Sequence, residues 1–471
     1  MLCAYYAKQC RLEDEVSMFF LSVVATMIFV ISVGVMASGK KIDEEEYSLA
    51  GRKANPFAVS GILLGALIGG ASTVGTAEMA YVYGLSAWWF TLGGGIGSLL
   101  LALFIAEPLR KSGVTTLAQF LSKHYGLQMS RLAAVGSIIG TLIAVVAQFL
   151  ASCALLYAIA PLPYWALNLL VAFLILAFIY SGGTKSYSAI GQVKLVLLYF
   201  TLIACGVFAY KLGHTPRALV KDLPRFPFFS LFARGVFKEL NACLSLILGT
   251  LGTQIYAQAV LSASSEKTAK RGALLSAILM PPIGLLGIWI GLALRREGVV
   301  IEPSQALPYF LYTYFPKALS GVAWATLFIT SLGTAAGLSL GVATTISYDL
   351  YVSFKKLSSS RTILVINRLS LLCVIVVAFI TSLRAADSLI LQWSYLSMGL
   401  RGAGVFVPLV AAVFSFSLSP GMAFMSGATG ITIACLWPML KLPGEGILIG
   451  VCVSAMIALF GIYNSKKARI K

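Results

Sequence analysis

The sequence has little charge for its length. Only 11% of its 471 residues are charged, whereas 59% are apolar and the mean hydropathy is +0.91. Soluble domains carry about 25% charged and about 45–50% apolar residues. A water-soluble fold could not bury so large an apolar excess. The composition therefore excludes a soluble enzyme and indicates an integral membrane protein.

Histidine and clustered cysteine are scarce as well. The chain has two histidines, His124 and His214, and its eight cysteines form no C-x-x-C pair and no Cys/His cluster. This excludes a zinc site and a disulfide framework, and it leaves a membrane hydrolase without an evident general base. We therefore expect neither enzymatic activity nor a cofactor.

Acidic residues are half as frequent as basic ones, 17 against 35, which gives a net charge of +18. In a soluble protein this excess would indicate nucleic acid. Here all but four of the cations fall in predicted loops or tails, so the charge describes topology and excludes a nucleic-acid partner. The four exceptions are Lys194, Lys238, Arg368 and Arg401.

Long apolar runs are abundant. A helix needs about 20 residues to cross a bilayer, and bounding the runs by charge, proline and glycine predicts thirteen transmembrane helices. They span 17–38, 57–82, 86–106, 130–159, 163–180, 190–211, 236–256, 271–294, 319–347, 362–384, 388–415, 420–440 and 445–463. The chain is thus predicted to be a single membrane domain, residues 1–471, with no soluble module and no obligate protein partner.

The charges flanking the runs predict the orientation. Residues 1–16 are expected to be an extracellular leader, because acidic residues precede the run at 17–38 and lysines follow it. That run is too long for a signal peptide. Predicted inside segments then hold nineteen cations and outside segments twelve, the bias expected of a multi-pass cell-membrane protein. Its N-terminus would lie outside and its C-terminus in the cytoplasm.

Two spans are rich in both glycine and hydroxyl residues. The second span contains GALIGGASTVG at 65–75, and the seventh contains LGTLGTQ at 248–254. Irregular backbone in a membrane is tolerated where it lines a cavity or is covered by protein. Each of these spans opens a set of five, 57–211 and 236–415, which would have opposite topology, as in inverted-repeat transporters. The alternative is that these glycines form packing faces only.

Several motifs resemble the sodium:solute symporter family. They follow one another in that family's order: YSLAGRK at 47–53, GGASTVG at 69–75, YGLSAWW at 83–89, GVTTLAQFL at 113–121, Gln258 with SSEKTAKRGALL at 264–275, DLY at 349–351 and GLRGAG at 399–404. The resemblance covers about residues 45–415. It implies an all-α fold of the leucine-transporter (LeuT) type, a 5+5 inverted repeat with an extra helix at 17–38 and two more at 420–463. It also implies alternating access for a small solute.

The resemblance also implies a sodium ion between the second and ninth spans. Its ligands would be the carbonyls of Gly65 and Ile68 and the hydroxyl of Thr334, since sodium prefers oxygen ligands. The family usually has a second hydroxyl residue where this chain has Gly333. Ser331 lies on another face of the helix and is not expected to replace that hydroxyl.

Three further positions depart from the pattern. Leu67 replaces an acidic residue of some members, Gly191 replaces an aspartate of many, and Lys194 stands in an apolar stretch nearby. An ammonium within a membrane is costly and indicates function. In a proton-coupled relative of this fold class, a lysine takes the place of the sodium, and Lys194 is a candidate for that role. Alternatively, Lys194 extends to the cytoplasmic headgroups.

Polar residues near the two predicted breaks form the candidate solute site, because transporters of this kind bind their solute between such breaks. They are Ser72, Thr73, Thr91, Gln148, Thr253, Gln254, Gln392, Trp393 and Tyr395. Glu78 is a candidate gate or a partner of Arg401, and Arg401 is a candidate for a substrate carboxylate or a packing anchor. Any one of these residues could instead form an interhelical hydrogen bond.

The sequence thus predicts a cation-coupled symporter, with Na⁺ as the expected coupling ion. Its solute is expected to be a small amino acid or organic acid. One alternative is a proton-coupled or sodium-independent transporter that uses Lys194. Another is a transporter-like sensor, which binds a solute and signals to a partner. A passive channel is disfavoured, because the polar residues cluster at the two breaks and do not form a continuous pore.

Overall fold

A computed structural model describes residues 2–37, 52–352 and 360–470, and this part of the chain is almost entirely helical. The first half contains ten α-helices: α1 (Leu2–Ala37), α2 (Pro56–Leu67), α3 (Thr76–Tyr83), α4 (Trp89–Leu100), α5 (Ala106–Lys111), α6 (Leu117–Tyr125), α7 (Leu127–Tyr157), α8 (Tyr164–Lys211), α9 (Pro216–Asp222) and α10 (Arg225–Phe228). Residues 2–16 of the predicted leader are therefore part of the same helix as the first predicted span. Residues 47–51 of the first motif lie outside the described residues.

The second half contains ten more: α11 (Val236–Gly252), α12 (Gln254–Leu261), α13 (Glu266–Arg296), α14 (Ala306–Tyr314), α15 (Lys317–Thr344), α16 (Ser360–Arg384), α17 (Ile390–Ala403), α18 (Phe406–Val413), α19 (Pro420–Met439) and α20 (Gly446–Ile470). The only strand pairing in the described residues is one isolated bridge. The prediction of an all-α polytopic membrane protein is confirmed.

The number of crossings in the described residues is lower than predicted. Eight helical stretches are long and apolar enough to cross a membrane, and two bent pairs raise the number to ten. One bent pair is α11 with α12, and the other is α17 with α18. Three further apolar helices are shorter, at Glu15–Val30, Pro56–Leu67 and Tyr164–Ala177. The predicted count of thirteen is therefore not confirmed.

Helix α8 differs most from the prediction. The sequence predicts two spans, 163–180 and 190–211, and the structure has one helix of 48 residues, Tyr164–Lys211. No proline lies in this stretch, so every residue retains the amide that a continuous helix needs. At 1.5 Å per residue a straight helix of this length would measure about 72 Å, roughly twice what one crossing requires.

Helix α1 packs against α15 and α8. A Cβ atom on Gly321 would lie 2.0 Å from Ser22 Oγ, which shows how closely the backbones of α1 and α15 approach. Further along α1, Val30 is buried against Ile329 of α15 and against Val193 and Leu197 of α8. The N-terminal helix therefore covers the part of α8 that contains Lys194.

The glycines of α4 are packing positions. Gly93 faces Leu246 of α11, Gly94 faces Met280 of α13, and Gly97 faces Thr250 of α11, each at a distance that leaves no room for a side chain. Small residues let helix backbones approach closely in membranes. Helix α4 thus packs between α11 and α13. Helix α11 opens the second predicted repeat.

A backbone bridge joins the start of the first broken helix to the end of the second. The amide of Ala54 donates to the Ser262 carbonyl at 3.1 Å, and the amide of Ser264 donates to the Ala54 carbonyl at 3.0 Å. Arg110 Nε adds a hydrogen bond to the Ala263 carbonyl at 2.7 Å. We call this contact the Ala54–Ala263 bridge.

Candidate functional site

The first broken helix parts after Leu67, as the glycines predict. Ile68 has an extended backbone with φ −92° and ψ 106°, and the amide of Gly69 donates to Ser72 Oγ at 3.0 Å. In a continuous helix that amide would bond the Gly65 carbonyl, four residues earlier. The break therefore frees a carbonyl that the family resemblance assigns to the cation site.

Side chains form hydrogen bonds with backbone groups at this first break. Ser72 Oγ and Thr73 Oγ1 donate to the Gly69 carbonyl, at 2.9 and 3.1 Å. Gln148 Oε1, from α7, accepts the Gly70 amide at 2.8 Å. All three predicted solute residues are buried. Their polar groups compensate the broken helical ladder, as buried backbone groups require.

The second broken helix parts at Thr253, which has φ −97° and ψ 134°, and its halves α11 and α12 are bent by 48°. The hydroxyls of Thr250 and Thr253 are buried and have no hydrogen-bond partner among the described residues. Gln254 is engaged elsewhere, since its Oε1 accepts the Leu117 amide at 2.7 Å and so fixes the start of α6. Thr253, the other predicted solute residue at this break, therefore has a hydroxyl that can still bond a ligand.

Lys194 contacts the residue that the resemblance assigns to the cation. Its side chain is only 4% exposed, and Nζ donates to Thr334 Oγ1 at 3.0 Å. The side chain is therefore buried against α15 and does not extend to the headgroups. Thr334 in turn lies against the first break, because a Cβ on Gly69 would be 3.1 Å from its Cγ2. The side chain of Gln192, which follows Gly191, lies outside the described part.

No carboxylate compensates this ammonium in the part of the chain that the structure describes. The ion pairs found there are His214–Glu297, Arg234–Glu239 and Arg296–Asp222. Ser331, on the same helix as Thr334, bonds the Gln148 carbonyl at 3.0 Å and the Ser152 hydroxyl at 2.8 Å. It therefore faces α7, and Thr334 remains the hydroxyl beside Lys194.

The suggested pairing of Glu78 with Arg401 is wrong. Glu78 Oε2 accepts the amide of Ile390 at 2.8 Å, and a carboxylate at a helix N-terminus is favourable. Arg401 lies eleven residues further along the same helix, about 16 Å away, where it donates to the carbonyl and hydroxyl of Ser397. Arg401 is 4% exposed and interacts with Tyr256, and no carboxylate pairs with it among the described residues.

The other predicted solute residues are scattered. Thr91 faces α13, at 3.5 Å from the Pro281 carbonyl. Gln392 is exposed, and Trp393 donates to Ser388 Oγ at 2.6 Å. Tyr395 is buried, and its hydroxyl has no partner within the described ranges. Among the predicted solute residues, Thr253 and Tyr395 are therefore the two whose buried hydroxyls have no partner in the described chain.

The sequence interpretation missed two features. Helices α17 and α18 are bent by 46° after Ala403, a third break that the GLRGAG motif and Pro408 could have indicated. The second feature is the buried ion pair of Arg234 with Glu239. These two residues lie in a predicted loop and at a predicted helix end, and no local signal shows what they contact.

Broken helices of this kind are typical of polytopic secondary transporters. Two solved structures are similar to this chain in fold. A Na⁺-coupled sialic acid symporter in an outward-open state matches over 95% of this chain and 97% of its own, with a TM-score of 0.73 and 14% identity. The structure of MhsT in complex with L-phenylalanine matches over 88% and 99%, with a TM-score of 0.52 and 16% identity. These likenesses show the LeuT fold.

The sequence comparisons define the family. The sodium:solute symporter family matches residues 47–430, and the chain belongs to that family. A curated relative, the high-affinity choline transporter 1 of Drosophila melanogaster, is 25% identical over 384 residues. That match covers 77% of this chain and 62% of the relative, so the chain spans about three fifths of the relative's length. The chain is thus a multi-pass membrane protein of the sodium:solute symporter family.

Proposed function

We propose that this protein is a secondary active transporter that moves a small organic solute by alternating access. Residues 57–211 and 236–415 would form the two inverted repeats, with the N-terminus outside and the C-terminus in the cytoplasm. The observation that carries the proposal is the pair of breaks at Ile68 and Thr253, each at the matching position of its predicted repeat. Broken helices at matching positions are typical of the binding site in such transporters.

Na⁺ is the coupling ion that the family implies. The freed carbonyl of Gly65 and the hydroxyl of Thr334 supply oxygen ligands of the type that sodium prefers, and Gly333 removes one hydroxyl from the set. Sodium coupling therefore requires the ion to bind beside Thr334, where the Lys194 ammonium lies at 3.0 Å from Oγ1. An ion bound to this hydroxyl would lie close to the ammonium, and two neighbouring positive charges repel each other strongly in a membrane interior.

The contact between Lys194 and Thr334 favours a second candidate, in which Lys194 takes the place of the sodium ion. The ammonium bonds a proposed sodium ligand and is buried without a carboxylate in the described residues. Such a charge is costly in a membrane, and loss of its proton removes that cost. A lysine that gains and loses a proton here would couple transport to a proton gradient.

Transport into proteoliposomes decides between the two candidates. Uptake would be measured with an imposed Na⁺ gradient, with an imposed pH gradient, and with neither. If Lys194 replaces sodium, the pH gradient drives uptake, the Na⁺ gradient alone drives none, and Lys194→Met abolishes the pH-driven uptake. Uptake driven by Na⁺ alone would overturn the role of Lys194 and establish sodium coupling.

Two threonines on α15 provide a matched pair of variants. Thr334→Val removes the hydroxyl that bonds Lys194, whereas Thr326→Val removes a hydroxyl that bonds the carbonyl of its own helix at Val322. We expect Thr334→Val to impair coupled uptake and Thr326→Val to leave it intact. Equal effects of the two substitutions would show that the cation site lies elsewhere.

The solute is proposed to be a small amino acid or organic acid, and Arg401 is the candidate for its carboxylate, since guanidinium binds carboxylate bidentately. The choline transporter among the relatives adds a quaternary ammonium solute as a candidate. A thermal-shift screen of the purified protein against amino acids, organic acids and choline, with and without Na⁺, would identify the class. Stabilisation by choline alone would exclude a carboxylate solute and the proposed role of Arg401.

A further inference from the structure

The turn before the second broken helix holds a buried ion pair. Arg234 donates from Nε and Nη2 to the two carboxylate oxygens of Glu239, at 2.9 and 2.7 Å. The side chain of Arg234 is 10% exposed and that of Glu239 is fully buried. Glu239 belongs to the first turn of α11, so the pair ties the preceding turn to the start of the broken helix in a bidentate geometry.

Arg234 also contacts α17 through an aromatic ring. Its guanidinium carbon lies 5.6 Å from the centre of the Tyr395 ring, within the range of a cation–π interaction. The Tyr395 ring also meets Phe90 of α4, with ring centres 5.9 Å apart. Tyr83, at the end of α3, lies near this guanidinium as well. One side chain thus contacts the start of the second broken helix and α17, close to the end of α3.

The surroundings of Arg234 favour its protonated form. Burial alone would lower the pKa of Arg234, but the hydrogen bonds and the negative charge of Glu239 outweigh burial and raise it above the ordinary value. A buried ion pair adds little net stability compared with apolar packing, and its best attested role is to fix the register of the parts it joins. The Arg234–Glu239 pair fixes the guanidinium at the start of α11, where it lies on the Tyr395 ring of α17.

We propose that Arg234 is a positioning residue that controls opening of the transport pathway at the Tyr83 end. While the guanidinium lies on the Tyr395 ring, α17 and the start of α11 are held together; the pathway opens at this end when the two separate. This inference rests on the proposed function, because alternating access requires the two broken helices to move relative to α17.

The chain contains its own reporter of this opening. Cys243 lies one helical turn after Glu239 on α11, is half-buried and lies near Tyr395. In a variant whose other cysteines are replaced by serine or alanine, the alkylation rate of Cys243 by a membrane-impermeant maleimide measures access from the Tyr83 end. This readout does not require transport, so it remains valid if the proposed function fails.

Arg234→Gln removes the charge and the contact with the ring. We expect the alkylation rate of Cys243 to rise about tenfold, which corresponds to about 1.4 kcal/mol, and Arg234→Lys to give a smaller rise because lysine keeps the charge without the bidentate geometry. Arg296→Gln is the matched control. It breaks an ion pair with Asp222 that is more exposed, at 25% for the arginine side chain and 40% for the aspartate side chain. The structure shows no contact of this pair with Tyr395 among the described residues.

The outcomes separate the possibilities. A rise in Arg234→Gln but not in Arg296→Gln supports the proposal, and a rise in both shows general loosening and overturns it. No rise in Arg234→Gln also overturns it. Should Arg234→Gln fail to fold, Tyr395→Leu removes the ring and leaves the ion pair intact, and the same rise is expected. An unchanged alkylation rate in that variant would contradict the proposal equally.

Discussion

The two broken helices solve the same structural problem in different ways. At the first break, Ser72, Thr73 and Gln148 bond backbone groups of Gly69 and Gly70, and the Gly65 carbonyl is the group that the break frees. At the second, the hydroxyls of Thr250 and Thr253 are buried without a partner among the described residues. A buried hydroxyl without a partner costs free energy, and a solute that bonds it recovers that cost.

This difference assigns different roles to similar residues. Hydrogen bonds with Ser72, Thr73 and Gln148 hold the backbone of the first break, whereas the second break has buried hydroxyls that a ligand can bond. We therefore expect substitutions at the first break to lower stability and substitutions at the second to change solute affinity. Three predictions test this contrast.

The largest effect is expected at Gly70. A Cβ there would lie 2.4 Å from Ala151 Cβ and 2.7 Å from Ser331 Oγ, so Gly70→Ala forces α7 and α15 apart, at a cost of about 3 kcal/mol or more. Gly65→Ala is the control on the same segment, because a Cβ atom added at Gly65 would have no neighbour within 4 Å among the described residues. Thermal unfolding of the purified proteins measures both, and equal melting temperatures would show that the first break is not tightly packed.

A smaller loss of stability is expected at Gln148. Gln148→Ala leaves the Gly70 amide without its acceptor, at a cost of about 1–3 kcal/mol. Gln148→Met restores the volume but not the acceptor, so it should lower the melting temperature nearly as much. If methionine instead restores wild-type stability, Gln148 contributes volume only, and its amide is available for a solute.

The smallest effect on stability, and a distinct effect on affinity, is expected at Thr253. Thr253→Val removes a hydroxyl that bonds nothing in the described chain. The melting temperature should not fall, while the half-saturation concentration for uptake should rise about 3- to 10-fold. Thr73→Val is the counterpart at the first break and should lower the melting temperature. Unchanged uptake in Thr253→Val would remove this residue from the solute site.

The sequence predicts features that depend on local composition. Both breaks follow from glycines interleaved with hydroxyl residues, and the glycines of α4 are recognisable as packing positions because they lie within an apolar run. The contact of Lys194 with Thr334 joins residues 140 positions apart, and only the family resemblance places both near one site. Neither periodicity nor spacing could have shown their contact.

Other features were unpredictable for a physical reason. Glu78 and Arg401 have complementary charges, but helix geometry places them far apart, and a backbone amide satisfies Glu78. The role of Arg234 depends on how a turn packs against α17, which is set by tertiary structure alone. In α8, the absence of proline allows a continuous helix where two spans are predicted, since apolar length alone does not place a turn.

The Ala54–Ala263 bridge has a mechanical consequence. It joins the broken helices at one end through backbone hydrogen bonds, which no side-chain rotation can release. At the other end, side chains join them to α17: the Arg234 guanidinium lies on the Tyr395 ring, and the Glu78 carboxylate accepts the Ile390 amide. The two ends of the broken helices are therefore held by different kinds of contact. We expect larger movements during the transport cycle at the end held by side chains, with the Ala54–Ala263 bridge as the point about which the helices rotate.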